Sequence, residues 1–145
     1  MPTQTSPSQS AEDYLERIHE LIESKGYARV VDIAGSLKVR QASVTVMVQK
    51  LARSGYVKYE KYRGLVLTEN GLAVARAIQS RHATLSRFFS LFGLDDETQR
   101  LDIEGIEHHL SPATLRTLAD LAAFFETNPD TLKAFKQSRK RGARK

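Results

Sequence analysis

The chain has 145 residues, no cysteine and a formal net charge of +5. This length suits one hydrophobic core or two small helical units, and it excludes a large catalytic scaffold. Because cysteine is absent, any metal would have to be bound by oxygen and imidazole ligands. No run approaches the ~18 apolar residues of a membrane span, and the first ten residues lack the apolar segment of a signal peptide. We therefore expect a cytoplasmic protein with no membrane partner.

Charge is distributed unevenly along the chain. Residues 26–64 carry +6 and residues 133–145 carry +7, whereas residues 1–25 carry −3 and residues 65–132 carry −5. A basic block suits a polyanion, whereas an acidic block suits cations or another protein. The charge pattern therefore predicts at least two regions with different partners.

The N-terminal part begins with two predicted helices. Residues 11–24 have apolar residues at helical spacing, with Ser10 as the expected N-cap and Gly26 as the end. Residues 28–37 predict a second, shorter helix. The segment before Ser10 is polar and is expected to be disordered.

A third helix and a hairpin follow. Residues 41–55 predict a longer helix that ends at Gly55, and residues 56–68 alternate in the manner of a β-hairpin that turns at Gly64. Helix, turn, helix and hairpin in this order are the arrangement of a winged helix-turn-helix, in which the second helix of the motif enters the major groove of DNA.

The remainder of the chain reads as helical throughout. Thr68 is the expected cap of a long helix that ends at Gly93, and an acidic helix should span roughly 95–110. Two Ser-Pro or Asn-Pro pairs, at 111–112 and 128–129, each begin a further helix. We predict a mostly α protein, with a winged helix-turn-helix domain joined by a long helix to an all-helical dimerisation domain. The predicted segments are a disordered start at 1–10, a DNA-binding domain at 11–70, a helical metal-binding and dimerisation domain at 71–138 and a basic tail at 139–145.

The polar positions of the third helix and of the hairpin form the candidate DNA-binding surface. Gln can bond adenine through two hydrogen bonds, Ser and Thr are adaptable, and the basic residues of the wing suit phosphates. A protein-interaction module with a merely solvated basic surface is the alternative. DNA binding is favoured because the +6 block lies where this fold faces a duplex. The candidate residues are Arg40, Gln41, Ser43, Thr45, Gln49, Lys50, Lys58, Lys61, Tyr62 and Arg63.

Four carboxylates and two imidazoles in three predicted helices form a candidate metal site, namely Asp13, Glu16, His82, Glu104, Glu107 and His108. Glu104, Glu107 and His108 have the spacing i, i+3, i+4, so on one helix they would share a face. Carboxylates and imidazoles without thiolates favour Mn²⁺ or Fe²⁺. Taken one at a time, these candidate ligands also have simpler explanations. Asp13 fits a capping box, His82 fits a buried histidine bonded to a carbonyl, and the glutamates fit an exposed acidic face.

Several stretches resemble the manganese regulators of the diphtheria-toxin-repressor family. They are "EDYLERI", "GYARVVDIA", "SVTVMVQKL", "YEKYRGLVLT", "SRH" and "IEGIEHHLS", in register from about residue 11 to residue 126. The resemblance implies a homodimeric repressor of metal uptake genes, without enzymatic activity, that binds a palindromic operator in double-stranded DNA. It also implies that divalent metal, with Mn²⁺ favoured over other divalent ions, binds to the six candidate ligands and raises DNA affinity. Six donors, with carboxylates able to bridge, could hold two Mn²⁺ ions per subunit. No small organic substrate is implied.

Other interpretations stay open at this point. A di-metal carboxylate enzyme also places Glu and Glu-x-x-His sets in helical bundles, although the hairpin interrupts such a bundle here. A metal-independent winged-helix regulator would use the acidic helices only for dimer contacts. The basic tail lies outside the shared pattern and could be a nonspecific DNA contact or, as its composition slightly favours, a solubilising end.

Overall fold

The structure is a computed structural model and describes residues 7–143. In this range it contains seven helices and one two-stranded antiparallel sheet. The chain forms an N-terminal unit up to Gln79 and a C-terminal unit from Ser80, with the boundary inside the fourth helix. The predicted mostly α fold is confirmed. The elements are α1 (Gln9–Lys25), α2 (Val30–Leu37), α3 (Gln41–Arg53), β1 (Val57–Glu60), β2 (Gly64–Leu67), α4 (Glu69–Leu91), α5 (Asp96–Ile106), α6 (Pro112–Thr127) and α7 (Pro129–Ala143).

Helix α1 begins earlier than the sequence predicted. The N-cap is Ser8, whose hydroxyl accepts a hydrogen bond from the Ala11 backbone N–H at 3.1 Å, so the prediction of Ser10 was wrong. Both serines are chemically able to cap, but the earlier start places Ala11 inside the helix, where it is buried. Residues 9 and 10 of the segment expected to be disordered are therefore helical, and residues 1–6 lie outside the described residues.

A continuous apolar core holds the N-terminal unit together. Leu15 and Ile18 of α1, Ile33 of α2 and Val44 of α3 are completely buried in one cluster that also includes Leu65 of the hairpin. Burial of side chains of this size contributes about 1.5–3 kcal/mol each. The helical spacing of these residues leaves the polar face of α3 turned to solvent.

Helix α3 ends in a Schellman motif that leads directly into the hairpin. The Tyr56 N–H donates to the Leu51 carbonyl at 2.9 Å and the Gly55 N–H donates to the Ala52 carbonyl at 3.1 Å, with Gly55 in the left-handed region at φ +83°. In the hairpin, Val57 pairs with Leu67 and Glu60 pairs with Gly64. The wing predicted from the alternating pattern is therefore present.

Thr68 connects the end of the hairpin to the start of α4. Its hydroxyl donates to the Gly55 carbonyl at 2.6 Å and accepts from the Gly71 N–H at 3.2 Å, which confirms it as the cap of α4. A Cβ at position 71 would lie only 2.0 Å from the Tyr56 carbonyl oxygen, so only glycine fits there.

The C-terminal unit consists of the rest of α4 and helices α5 to α7. Ser111 caps α6 by accepting a hydrogen bond from Thr114 at 3.2 Å, as the Ser-Pro pair predicted. The Arg87 guanidinium of α4 forms an ion pair with Glu126 of α6, which raises the pKa of Arg87. Edge-to-face contacts join an aromatic cluster of Phe88, Phe92, Phe125 and Phe135.

Helix α5 is shorter than predicted. It starts after the N-cap Asp95, which accepts from the Thr98 N–H at 2.7 Å, and it ends at Ile106 rather than near residue 110. Residues 107–109 form a turn in which the His109 N–H donates to the Ile106 carbonyl at 3.0 Å. Ser111 precedes a proline and is extended, at ψ +156°, so the helix has to stop before it.

Candidate DNA-binding surface and metal centre

The polar face of α3 is fully available on the surface of the N-terminal unit. Val44, Val48 and Leu51 turn inward, which leaves the predicted DNA contacts on the outer side. Helix α3 also has no acidic residue in its first turn, so nothing there repels a phosphate. The predicted α3 contacts, all exposed, are Arg40, Gln41, Ser43, Thr45, Gln49 and Lys50.

The wing presents its basic residues around the exposed Tyr62. Tyr62 is 95% exposed at the tip, with a positive φ of 74°, and the Lys61 ammonium lies 5.3 Å from its ring centroid. Lys58 and Arg63 each lie 3.3 Å from a carboxylate oxygen of Glu60. Glu60 thus holds two cations in place on the wing, and a DNA phosphate would compete with it for them.

Val46 is a candidate DNA contact that the sequence reasoning missed. It is 63% exposed on α3, and it borders a hollow of about 490 Å³ with Ala42, Ser43 and Lys50. An exposed β-branched side chain beside polar ones suits the methyl group of thymine in the major groove. The available indication was that Val46 lies off the apolar stripe formed by Val44 and Val48.

A group of basic and aromatic residues lies between the α1–α2 connection and the wing, and of these Tyr27 was not predicted. The Arg29 guanidinium lies 4.6 Å from the centroid of the Tyr27 ring, and both residues line a concavity of about 570 Å³ with Tyr62 and Arg63. Arginine and tyrosine side chains are common partners of phosphate and sugar oxygens. The basic block of residues 26–64 contained this information, but it gave no indication that these two segments are adjacent.

Three of the predicted metal ligands meet in the C-terminal unit. His82 Nδ1 of α4 lies 3.1 Å from Glu107 Oε2, and His108 Nε2 lies 3.7 Å from Glu107 Oε1. The Glu107 side chain is only 5% exposed, and its backbone carbonyl accepts a hydrogen bond from Arg81 at 3.4 Å. Carboxylate oxygen and imidazole nitrogen are donor types that suit a divalent cation.

Glu104 has a different environment from Glu107. Its side chain is 62% exposed, and one of its carboxylate oxygens lies 3.6 Å from the Arg100 guanidinium. Arg100 also binds Glu97 through contacts of 3.1 and 2.7 Å, which lower the pKa of Glu97 and raise that of Arg100. Helix α5 ends at Ile106, but its C-cap Glu107 keeps helical backbone angles and donates its N–H to the Ile103 carbonyl, so Glu104 and Glu107 keep the predicted i, i+3 spacing. His108 lies in the turn that follows.

Asp13 and Glu16 lie one turn apart on α1 in the N-terminal unit, where both are half-buried. Across residues 7–143, no three His, Asp or Glu side chains are arranged to hold a metal ion. The assignment of the six ligands therefore stays a prediction, supported by the donor chemistry and by the contacts of Glu107. None of the helices described is both long and apolar enough to cross a membrane.

Family models match almost the whole chain. The model for the iron-dependent repressor N-terminal DNA-binding domain matches residues 7–65, and the model for the iron-dependent repressor metal-binding and dimerisation domain matches residues 68–136. The HTH-type transcriptional regulator MntR of Listeria innocua is 50% identical over 131 residues, which cover 90% of this chain and 92% of that protein. The MntR protein of Lysinibacillus sphaericus is 48% identical over 133 residues, which cover 92% and 96% respectively.

Solved structures agree with this assignment. The manganese regulator SloR has a TM-score of 0.70 at 26% identity, covering 83% of this chain and 55% of that chain. A manganese-dependent transcriptional repressor in complex with manganese has a TM-score of 0.69 at 25% identity, covering 79% and 53%. This chain thus spans about half the length of both proteins. With a winged helix-turn-helix followed by a helical unit that carries a carboxylate between two imidazoles, the chain belongs to the iron-dependent, or diphtheria-toxin-repressor, family of metal-dependent DNA-binding transcriptional regulators.

Proposed function

We propose that this protein is a manganese-responsive repressor of metal uptake genes, which binds a palindromic operator as a homodimer when it is loaded with metal. The proposal is carried by one observation: the exposed polar face of α3 and the His82–Glu107–His108 group occur in a single chain of this family. The relatives that are about half identical are named MntR, and two solved neighbours are described as manganese-dependent or as a manganese regulator.

The donor set fits manganese better than a thiolate-binding metal. The proposed ligands supply oxygen and imidazole nitrogen, and the chain has no cysteine. When bound, the cation would supply a positive charge that offsets the repulsion between the carboxylates. Carboxylates that bridge would allow the set to hold two ions per subunit. The proposed ligands are Asp13, Glu16, His82, Glu104, Glu107 and His108.

Three of the proposed ligands have contacts that metal binding would have to change or use. Metal ligands must be deprotonated, so the ring nitrogen of His82 that faces Glu107 has to give up any proton it shares with the carboxylate. Burial of Glu107 excludes water from this carboxylate. Arg100, which lies 3.6 Å from Glu104, would have to release it, and the stronger contacts of Arg100 with Glu97 give the guanidinium an alternative partner.

The proposed coupling to DNA is entropic. The ligands belong to α1, to α4 and to the α5 region, so their joint engagement restricts the conformations open to the N-terminal unit. A dimer whose two α3 helices are already restricted loses less entropy on binding half-sites one or two helical turns apart. A tenfold gain in DNA affinity requires about 1.4 kcal/mol of coupling.

The proposed homodimer would be formed through the C-terminal unit. Leu121 and Phe124 of α6 are 39% and 49% exposed, an unusual state for two large apolar residues on one helix face. A twofold symmetric dimer presents two identical α3 helices, which is why a palindromic operator is expected.

The test is a DNA-shift titration. The duplex would be selected by the protein from a random-sequence pool in the presence of Mn²⁺, and binding would be compared with Mn²⁺, Fe²⁺, Zn²⁺ and a chelator. We expect Mn²⁺ to tighten binding at least tenfold, and His82→Ala to abolish that gain. His109→Ala is the matched control, because His109 is exposed and adjacent to the site but is not a proposed ligand. Unchanged Mn²⁺ dependence in His82→Ala would refute the ligand assignment.

A further inference from the structure

Helix α7 carries a basic face that the functions above do not use. Residues 133–145 contain seven basic residues and no acidic one, and the match to the metal-binding and dimerisation model ends at residue 136, within α7. We propose that the face formed by Lys133, Lys136 and Lys140 binds the phosphate backbone of double-stranded DNA, independently of base sequence and of metal.

These lysines form one continuous surface. Together with Gln137 they follow the spacing i, i+3, i+4, i+7, and all four are exposed. At about 100° per residue, Lys133 and Lys140 point only about 20° apart. With Pro129 and Leu132 they line a shallow hollow of about 350 Å³. The three ammonium groups can therefore approach one extended anion together.

The opposite face of α7 is anchored in the C-terminal unit. The Phe135 ring lies 5.4 Å from the Phe92 ring at an interplanar angle of 80°, and the Arg139 guanidinium lies 5.8 Å from the Phe135 centroid. The Asn128 side-chain amide donates to the Phe124 carbonyl at 2.8 Å, which fixes the corner between α6 and α7. Phe135 points about 160° away from Lys133, about 140° away from Lys140 and about 100° away from Lys136, so packing of its ring turns the lysines toward solvent.

Charge on this face is uncompensated. In the described part of α7 the sole acidic residue is Asp130, in the first turn, and the ammonium groups of Lys133, Lys136 and Lys140 form no ion pair with described residues. Like charges three or four residues apart destabilise a helix by roughly 0.2–0.5 kcal/mol per pair. A polyanion bound along this face would reverse the sign of that interaction.

Dimensions and packing favour DNA over an anionic membrane surface. Lys133 and Lys140 are separated by about 10 Å along the helix axis, a length over which one DNA strand rises by about three nucleotides at roughly 3.4 Å each. A helix that lies in a membrane surface must insert a free apolar face. The apolar residues of α7 are few, and Phe135, although 42% exposed, packs against Phe92, so the helix offers only a small apolar face to insert. The N-terminal unit also binds duplex DNA, and this binding raises the effective concentration of DNA for a second contact by the same molecule.

The test measures nonspecific binding by the full chain. Fluorescence anisotropy would follow binding to a random-sequence duplex, with a chelator present, over a series of salt concentrations. We expect K133Q/K136Q/K140Q to bind the duplex roughly tenfold more weakly. Its plot of log K against log salt should be less steep, by about 0.9 for each phosphate that the variant no longer neutralises. Glutamine and lysine have similar helix propensities, so the helix itself should persist. The control K133R/K136R/K140R keeps the charge and should bind as the unsubstituted protein does.

An unchanged affinity and salt slope in the glutamine variant would overturn the proposal, and so would an equal weakening in the arginine variant. The proposal would also be overturned if the glutamine variant no longer bound phosphatidylserine vesicles but kept its affinity for DNA. The metal dependence of operator binding should survive in both variants. Because the lysine face and the manganese response are measured separately, failure of one proposal can be told from failure of the other.

Discussion

The two units of this protein differ in how completely they bury their own apolar residues. In the N-terminal unit the core is continuous through α1, α2, α3 and the hairpin, and Leu15, Ile18 and Ile33 are fully buried. In the C-terminal unit the buried residues are few and partly polar, with Glu107 and Gln99 beside Leu85, Ile103 and Ala122. The same unit exposes Leu121 and Phe124.

This difference suggests what each unit needs in order to be stable. A continuous core supports a unit by itself, whereas a unit that exposes large apolar residues and buries a carboxylate gains stability from what binds it. We therefore expect the N-terminal unit to depend on its own packing, and the C-terminal unit to depend on a second subunit and on metal.

The largest effect should come from the core of the N-terminal unit. Ile18→Ala removes a fully buried side chain and should lower the free energy of unfolding by about 2–5 kcal/mol. Denaturant unfolding measures this change, and Mn²⁺ should not restore the original stability. Val31→Ala is the control, because Val31 is 56% exposed and its truncation should change stability by at most about 0.5 kcal/mol. Equal effects of the two substitutions would refute the assigned core.

Substitution of Glu107 tests the metal dependence of the C-terminal unit. Glu107→Gln keeps the size of the side chain but removes its charge, and it should weaken Mn²⁺ binding by at least about tenfold, or 1.4 kcal/mol. Isothermal titration calorimetry without DNA measures this affinity. Asp102→Asn removes the charge of an exposed acid on helix α5, which precedes Glu107, and this variant should bind Mn²⁺ as the unsubstituted protein does. Equal Mn²⁺ affinities of Glu107→Gln and the unsubstituted protein would contradict the proposed site.

Truncation of an exposed aromatic residue tests the dependence on a second subunit. Phe124→Ala should raise the dimer dissociation constant by about tenfold, because aromatic residues at the centre of an interface often contribute more than 1 kcal/mol. Sedimentation equilibrium measures the change. Val39→Ala removes an apolar residue that is 41% exposed in the N-terminal unit and should leave the dimer intact. A dimer unaffected by Phe124→Ala would place the interface elsewhere.

The smallest expected effect concerns the contacts of α3 with the DNA bases. Val46→Ala removes two methyl groups and should cost about 1 kcal/mol if the side chain contacts a thymine methyl group. Replacing each thymine of the operator in turn with uracil removes that methyl group without changing base pairing. The unsubstituted protein should lose affinity at one position where Val46→Ala does not, whereas Gln49→Ala should keep the sensitivity. A uniform response at every position would exclude a specific contact by Val46.

The N-terminal unit was predicted well because its patterns are local. The apolar stripe of α3, the Schellman end at Gly55 and the alternation of the hairpin each depend on residues close together in the chain. The errors were also local. Ser8 and Ser10 have the same capping chemistry, so the spacing alone did not select between them, and Val46 was passed over because apolar residues were assigned to the core.

The candidate metal centre was less accessible to sequence reasoning. Helical spacing grouped Glu104 with Glu107 and His108, but α5 ends between them, and Glu104 lies beside Arg100. The contact of His82 with Glu107 joins residues far apart in the chain, and no spacing rule predicts such a contact. Only the family resemblance connected these segments, together with Asp13 and Glu16, before the structure was known.

The central claim is that metal and DNA bind in a coupled manner. Coupling between two binding equilibria is reciprocal, so the operator must tighten Mn²⁺ binding by the same factor by which Mn²⁺ tightens operator binding. The most direct measurement is a calorimetric titration of Mn²⁺ into the full-length protein, free and saturated with the selected duplex. We predict an affinity at least tenfold higher in the presence of the duplex. Equal Mn²⁺ affinities with and without the duplex would contradict the account.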